Sequence, residues 1–170
     1  EWNAPVIFKN TGRRLTTFSS NLTEWSGFWN TVECVDLNND GKKDLILGNK
    51  GTNTSYKATK EKPMKLFIND YDNNGTIEQI TTQTIDGKDV PLHLKQELAK
   101  QIPMVKKKNL SYTDYSKKTF QELFDTEVIN NSVQKTAKMQ ESCIAINKGN
   151  GKFEIQVLPK EVQFSSVNAI

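Results

Sequence analysis

Oxygen-bearing side chains are concentrated in two short stretches that share one spacing. The first reads Asp36-Leu37-Asn38-Asn39-Asp40-Gly41-Lys42-Lys43-Asp44, and the second Asp70-Tyr71-Asp72-Asn73-Asn74-Gly75-Thr76-Ile77-Glu78. In each, carboxylates or amides occupy the first, third, fifth and ninth positions, and Gly stands sixth. Alternate spacing turns three short side chains to one side of a tight loop. The Gly supplies the backbone reversal, and the seventh carbonyl, of Lys42 or Thr76, can point inward. Such a set suits a hard divalent cation. Calcium fits better than magnesium, which demands tight octahedral geometry and holds its waters. The expected ligands are Asp36, Asn38, Asp40, Lys42 and Asp44 for one ion, and Asp70, Asp72, Asn74, Thr76 and Glu78 for a second. The competing reading is an Asx turn that needs no metal, since Asn/Asp-Gly is also ordinary hairpin chemistry.

The elements around the loops exclude the EF-hand. That motif needs a bidentate Glu at its twelfth position and a helix on each side. Here the twelfth residues are Leu47 and Thr81. The flanks, Thr31–Val35 and Leu45–Gly48 around the first loop and Lys65–Ile68 and Ile80–Ile85 around the second, are short and rich in β-branched or aromatic residues. They predict strands, so each loop closes a strand–loop–strand hairpin.

The combination of D-x-[DN]-x-[DN]-G-x-x-[DE] with flanking strands resembles the FG-GAP or VCBS repeats of integrin-like β-propellers. Trp29-Asn30-Thr31-Val32 leads into the first loop as an inner strand does in such repeats. Asn147-Lys148-Gly149-Asn150-Gly151-Lys152-Phe153 resembles the turn between their outer strands, and Pro5–Gly12 looks like a weaker copy of it from a preceding blade. The likeness is to bacterial surface proteins of the type that can carry an ASPIC and UnbV-type module. It covers residues 1–85 and 142–170, whereas residues 86–141 do not look like a repeat. It implies a mainly β fold with a helical insertion: about two antiparallel β-propeller-type blades, a partial propeller, forming one fragment over residues 1–170.

Length and composition agree with this. At 170 residues the chain can build a real core, but a closed propeller of at least four blades, each of roughly 40–50 residues, would need more. The C-terminal stretch Glu161–Ile170 reads as another inner strand, so the chain is expected to be a piece of a longer protein. Its 23 basic and 20 acidic residues are interspersed and leave a net charge of +3. Lys106-Lys107-Lys108 is the one basic run, too small a footprint for nucleic acid. No apolar stretch is long enough to span a membrane. Cys34 and Cys143 both sit in apolar strand-like runs and are expected as buried free thiols, a disulfide between them being the alternative.

Residues 88–136 are read as a helical insertion between the second and third strands of one blade. Leu94, Leu98 and Ile102 give one amphipathic face, closed by Pro103. A second helix is expected over Thr113–Phe124, with Tyr115, Phe120, Leu123 and Phe124 as its apolar side, and a third over Thr126–Asn131. Packing against a sheet explains that aromatic stripe better than a ligand platform. Inserted elements on a scaffold are nonetheless where partner specificity tends to reside. His93 is the single histidine, and no Ser or Cys motif points at it, so it is expected to cap or lie at the surface. Glu97, Asp114, Glu122 and Asp125 read as solvated helix faces rather than a paired acid and base.

The sequence therefore predicts a non-enzymatic, calcium-stabilised binding or scaffold module of a larger bacterial surface or periplasmic protein. Its partner would be protein or glycan, alongside the remaining blades of its own chain. The alternative is a non-catalytic scaffold segment of a polysaccharide-processing enzyme. An extracytoplasmic setting follows from the open hairpin sites, which fill where calcium is plentiful.

Overall fold

A computed structural model describes residues 1–170. In chain order the strands are β1 (Ile7–Asn10), β2 (Leu15–Phe18), β3 (Thr31–Val35), β4 (Asp44–Gly48), β5 (Met64–Asn69), β6 (Glu78–Ile85), β7 (Lys88–Pro91), β8 (Val133–Ala137), β9 (Cys143–Gly149) and β10 (Lys152–Val157). Five short helices fall between β7 and β8: α1 (Lys95–Gln101), α2 (Pro103–Lys108), α3 (Tyr112–Ser116), α4 (Phe120–Leu123) and α5 (Thr126–Asn130). Strand accounts for 34% of the residues and helix for 21%, so the chain is mainly β, as expected. The sheets are three and antiparallel, and none closes into a barrel.

The chain divides into two compact units: Glu1–Lys60 with Ala137–Ile170, and Glu61–Thr136. The first holds the β1–β2 hairpin and a four-stranded sheet ordered β10-β9-β4-β3. That sheet is a simple meander interrupted between its second and third strands. Leu45 faces Ala145 and Leu47 faces Cys143 across β4 and β9, so two hairpins far apart in sequence share one ladder. Leu22, Leu47, Met139, Cys143, Ala145 and Phe153 make its core. The β9–β10 turn follows its sequence: Asn150 (φ 53°) and Gly151 (φ 76°) are both left-handed, as a two-residue primed turn requires. Buried amides lock the far end of β4. The Asn49 carboxamide donates to the Met139 carbonyl at 3.2 Å and accepts the Phe28 amide at 3.2 Å. The Gln163 carboxamide accepts from the Ser142 amide at 2.8 Å and donates to its carbonyl at 2.9 Å.

That last pair corrects the reading of the C-terminus. Residues Lys160–Phe164 form a 3-10 helix and no strand follows. Pro159 precedes the turn, and the buried Gln163 spends its polar atoms on the backbone of Ser142 and Leu158. Cys34 departs from expectation as well. Both thiols are free, but Cys34 is exposed on β3, the outermost strand of its sheet, while Cys143 is buried on β9.

The second unit is a sheet ordered β7-β6-β5-β8 with the helices packed on it. The insertion is narrower than residues 88–136, because both ends of that range are strands. Helices occupy residues 95–130 and follow the third strand of the sheet, β7, rather than its second. The helix expected over Thr113–Phe124 is two pieces, α3 and α4, and the third ends at Asn130. Thr119 breaks the run by capping α4: its amide and hydroxyl both bond the Glu122 carboxylate. The aromatic stripe is core. Phe120 stacks on Phe67 with centroids 4.2 Å apart, and Leu98, Ile102, Val105, Tyr115, Leu123 and Phe124 bury beside Ile80.

Candidate metal centre

The two loops share a backbone course. Asn39 and Asn73, fourth in each stretch, and Gly41 and Gly75, sixth, all take left-handed φ values between 57° and 85°. Asn tolerates that region better than other side chains, and Gly adopts it freely. The alternation aims successive amides at the first carboxylate. Asp36 accepts the amides of Asp40 at 3.2 Å and Gly41 at 2.9 Å. Asp70 accepts those of Asn74 at 3.0 Å and Gly75 at 2.8 Å. These amides, Gly75 foremost, hold the Asp70 carboxyl below its ordinary value.

Beyond this shared frame the loops differ. In the first, Asp44 is fully buried and both its oxygens are taken, one by the Leu37 amide at 2.9 Å and the other by the Asn147 amide at 2.8 Å. Asp40 accepts the Lys42 amide at 2.9 Å, and its other oxygen pairs with the Lys42 ammonium at 3.0 Å. Bonding to the Lys42 amide, then to its ammonium, lowers the Asp40 pKa. Asn38 accepts the Asp40 amide at 3.1 Å. The first loop thus satisfies its anions internally.

The second loop gathers its anions. Carboxylate oxygens of Asp70, Asp72 and Glu78 lie within 4.8 Å of one another. One oxygen of Glu78 accepts the Tyr71 amide at 3.0 Å, the counterpart of the Leu37–Asp44 bond. Its other oxygen is buried without a partner, as is Oδ1 of Asp72, and Glu78 itself is only 3% exposed. Unpaired buried carboxylate oxygens side by side are costly unless a cation or proton joins them. Asn74 turns its side-chain oxygen to the Thr76 amide at 2.7 Å. The residues fit a hard cation: three carboxylates converge, and two bear oxygens without a hydrogen-bond partner.

Tyr71 ties this loop to the helical layer. Its ring lies 4.6 Å from Phe124 and 5.9 Å edge-on from Phe120, and its hydroxyl meets the Ser132 hydroxyl at 3.0 Å. Asn69, just ahead of the loop, donates to the Val128 carbonyl at 2.8 Å. The first loop carries Leu37 at the same position, 41% exposed. Sequence reasoning missed Tyr71 as a site residue, although an aromatic residue inside an otherwise polar loop marks it.

His93 is neither capping nor at the surface. It is half-buried, and Nε2 accepts the Thr81 amide at 3.2 Å. Burial lowers its pKa, which keeps that nitrogen free to accept. No helix is long and apolar enough to cross a membrane. Comparison of the chain with protein-family models, curated proteins and solved structures finds no match.

Proposed function

We propose that the chain is a calcium-stabilised binding or scaffold module of β-propeller type, part of a larger extracytoplasmic bacterial protein, with protein or glycan as partner. The observation that carries the reading is the pair of buried, unpartnered carboxylate oxygens on Asp72 and Glu78 beside Asp70. Calcium takes six to eight oxygens in flexible geometry, and this loop offers three carboxylates, Asn74 and the Thr76 carbonyl. The four-stranded meander β3-β4-β9-β10 has the strand order of a propeller blade, with β1–β2 as the outer hairpin of the blade before it.

A non-catalytic role agrees with how the titratable side chains are used. His93 binds the Thr81 amide, Glu97 the Leu94 amide, and Glu122 Thr119. Each serves local structure. Of the two loops, the second is the better calcium site, because in the first Asp40 pairs with Lys42 and both Asp44 oxygens accept the Leu37 and Asn147 amides.

The test is thermal unfolding in EDTA and across a calcium titration, with magnesium as control. A ligand that binds only the folded state adds about 2.7 kcal/mol at a hundredfold excess over Kd. A rise specific to calcium, abolished in Asp72→Asn, supports the site. An equal response to magnesium, or none, rejects it.

A further inference from the structure

A pocket in the helical layer of the second unit has no part in the calcium reading. Its walls are Lys95, Gln96, Ala99, Lys100, Lys106 and Tyr112, around about 350 Å³. That volume lies at the lower end of the range for small-molecule sites. The placement follows from helix geometry. Lys95 and Ala99, and Gln96 and Lys100, are four apart on α1 and so lie on one side of it. Lys106 comes from α2 and Tyr112 from the start of α3.

Three lysines contribute to the walls and no acidic residue does. The nearest acidic side chains on the same helices are engaged elsewhere. Glu97 accepts the Leu94 amide at 2.9 Å, and Asp114 accepts the Ser111 hydroxyl at 2.6 Å. Lys95 is the unusual member. It is only 8% exposed, whereas lysines are seldom buried. Its ammonium donates to the Leu110 carbonyl at 3.0 Å and sits 5.1 Å from the centre of the Tyr112 ring. Neither partner carries a formal charge, so the cation is held in place without being neutralised. The Gln96 carboxamide bonds the Tyr112 hydroxyl and fixes that ring in turn. Lys100 and Lys106 are exposed at the rim. A held, uncompensated cation at the wall with two exposed ones at the rim gives this space a positive potential that favours an anion. The lysine stems, Ala99 and the ring supply apolar surface for the uncharged body that carries it.

We propose that this pocket binds a small molecule bearing an oxyanion, of the size of a sugar acid or sugar phosphate. The test uses the whole chain, titrated with glucuronate, glucose 6-phosphate and glucose while the Tyr112 ring resonances are followed by NMR. Saturable shifts with one or both anions, and none with glucose, are expected, and the two anions distinguish a carboxylate from a phosphoryl ligand. Lys100→Ala/Lys106→Ala is expected to weaken binding at least tenfold without moving the thermal midpoint. Lys9→Ala/Lys152→Ala, which removes the same charge from exposed positions of the first unit, is expected to leave it unchanged. Equal weakening in both double variants reduces the effect to net charge and overturns the proposal, as does glucose binding as well as the anions, or no saturable shift at all.

Discussion

Glu78 holds the Tyr71 amide with one carboxylate oxygen at 3.0 Å and keeps the other buried without a partner. The first loop has no such division, because Asp44 uses both oxygens on amides. Glu in place of Asp lengthens the ninth side chain by one methylene. In the second loop the longer side chain reaches its structural amide and still presents a free oxygen to Asp70 and Asp72. That extra length is what leaves one Glu78 oxygen without a protein partner.

Glu78→Gln should therefore reverse the order of stability between two conditions. In EDTA the variant is expected to melt at or above the parent, since neutralising a buried carboxylate beside two others removes repulsion. At a hundredfold excess of calcium over Kd the parent should gain about 2.7 kcal/mol and the variant little. Melting curves in both buffers check this, and a variant less stable than the parent by the same margin in each would refute it.

Tyr71 should transmit the state of the loop to the helices. Its ring and hydroxyl are anchored on Phe120, Phe124 and Ser132. Tyr71→Phe is expected to cost about 1 kcal/mol for the lost hydroxyl bond, and Tyr71→Ala roughly 3–5 kcal/mol for the lost packing. In the parent, calcium should slow amide exchange in α4 and α5 as well as in the loop. Protection confined to residues 70–78 would show that the coupling is absent.

The hairpins were legible because their signals are local: short β-branched or aromatic runs, Asn/Asp-Gly turns, and oxygens at alternate positions. The β9–β10 turn at Asn150-Gly151 is such a case. What escaped depends on partners distant in sequence. Asp44 looks like an ideal ninth ligand until Asn147, 103 residues further on, claims one of its oxygens. The pairing of β4 with β9 is invisible for the same reason. The helical apolar residues were read correctly as core, yet Thr119 divided the helix that should have carried them.

Acid should weaken the fold in two separate windows. Burial lowers the His93 pKa from its ordinary 6.5, so the folded state favours the neutral ring. Its contribution is present above 6.5 and is lost as pH falls through the lower folded value. Asp70 is also lowered, from 3.8, chiefly by the Gly75 amide, so its contribution is present above 3.8 and disappears in a more acidic window. His93 is the single histidine, so its imidazole proton titration is unambiguous, and a midpoint at or above 6.5 would contradict the buried acceptor role.

The thiols should separate cleanly. Cys34 is exposed on β3, whereas burial pushes Cys143 up to about 12. The thiolate is the reactive form. One thiol per chain is expected to react with a disulfide reagent in native buffer, and two after unfolding. Labelling that leaves Cys34→Ala with a native reactive thiol would place Cys143 outside the core.

The ninth residues of the two loops offer the sharpest contrast. Asp44→Ala strips the acceptor from the Leu37 and Asn147 amides, which are bonded to a charged group at 2.9 and 2.8 Å. Each such bond contributes about 1.5–3 kcal/mol, and Asn147 joins β9 to the end of β4. The loss should be the same in EDTA and in calcium, because Asp44 is occupied by protein in either case. Glu78→Gln, by comparison, should cost stability only when calcium is present. Paired melts of the two variants therefore separate a carboxylate that folds the chain from one that binds an ion. A calcium-dependent loss in Asp44→Ala would restore the first loop as a metal site.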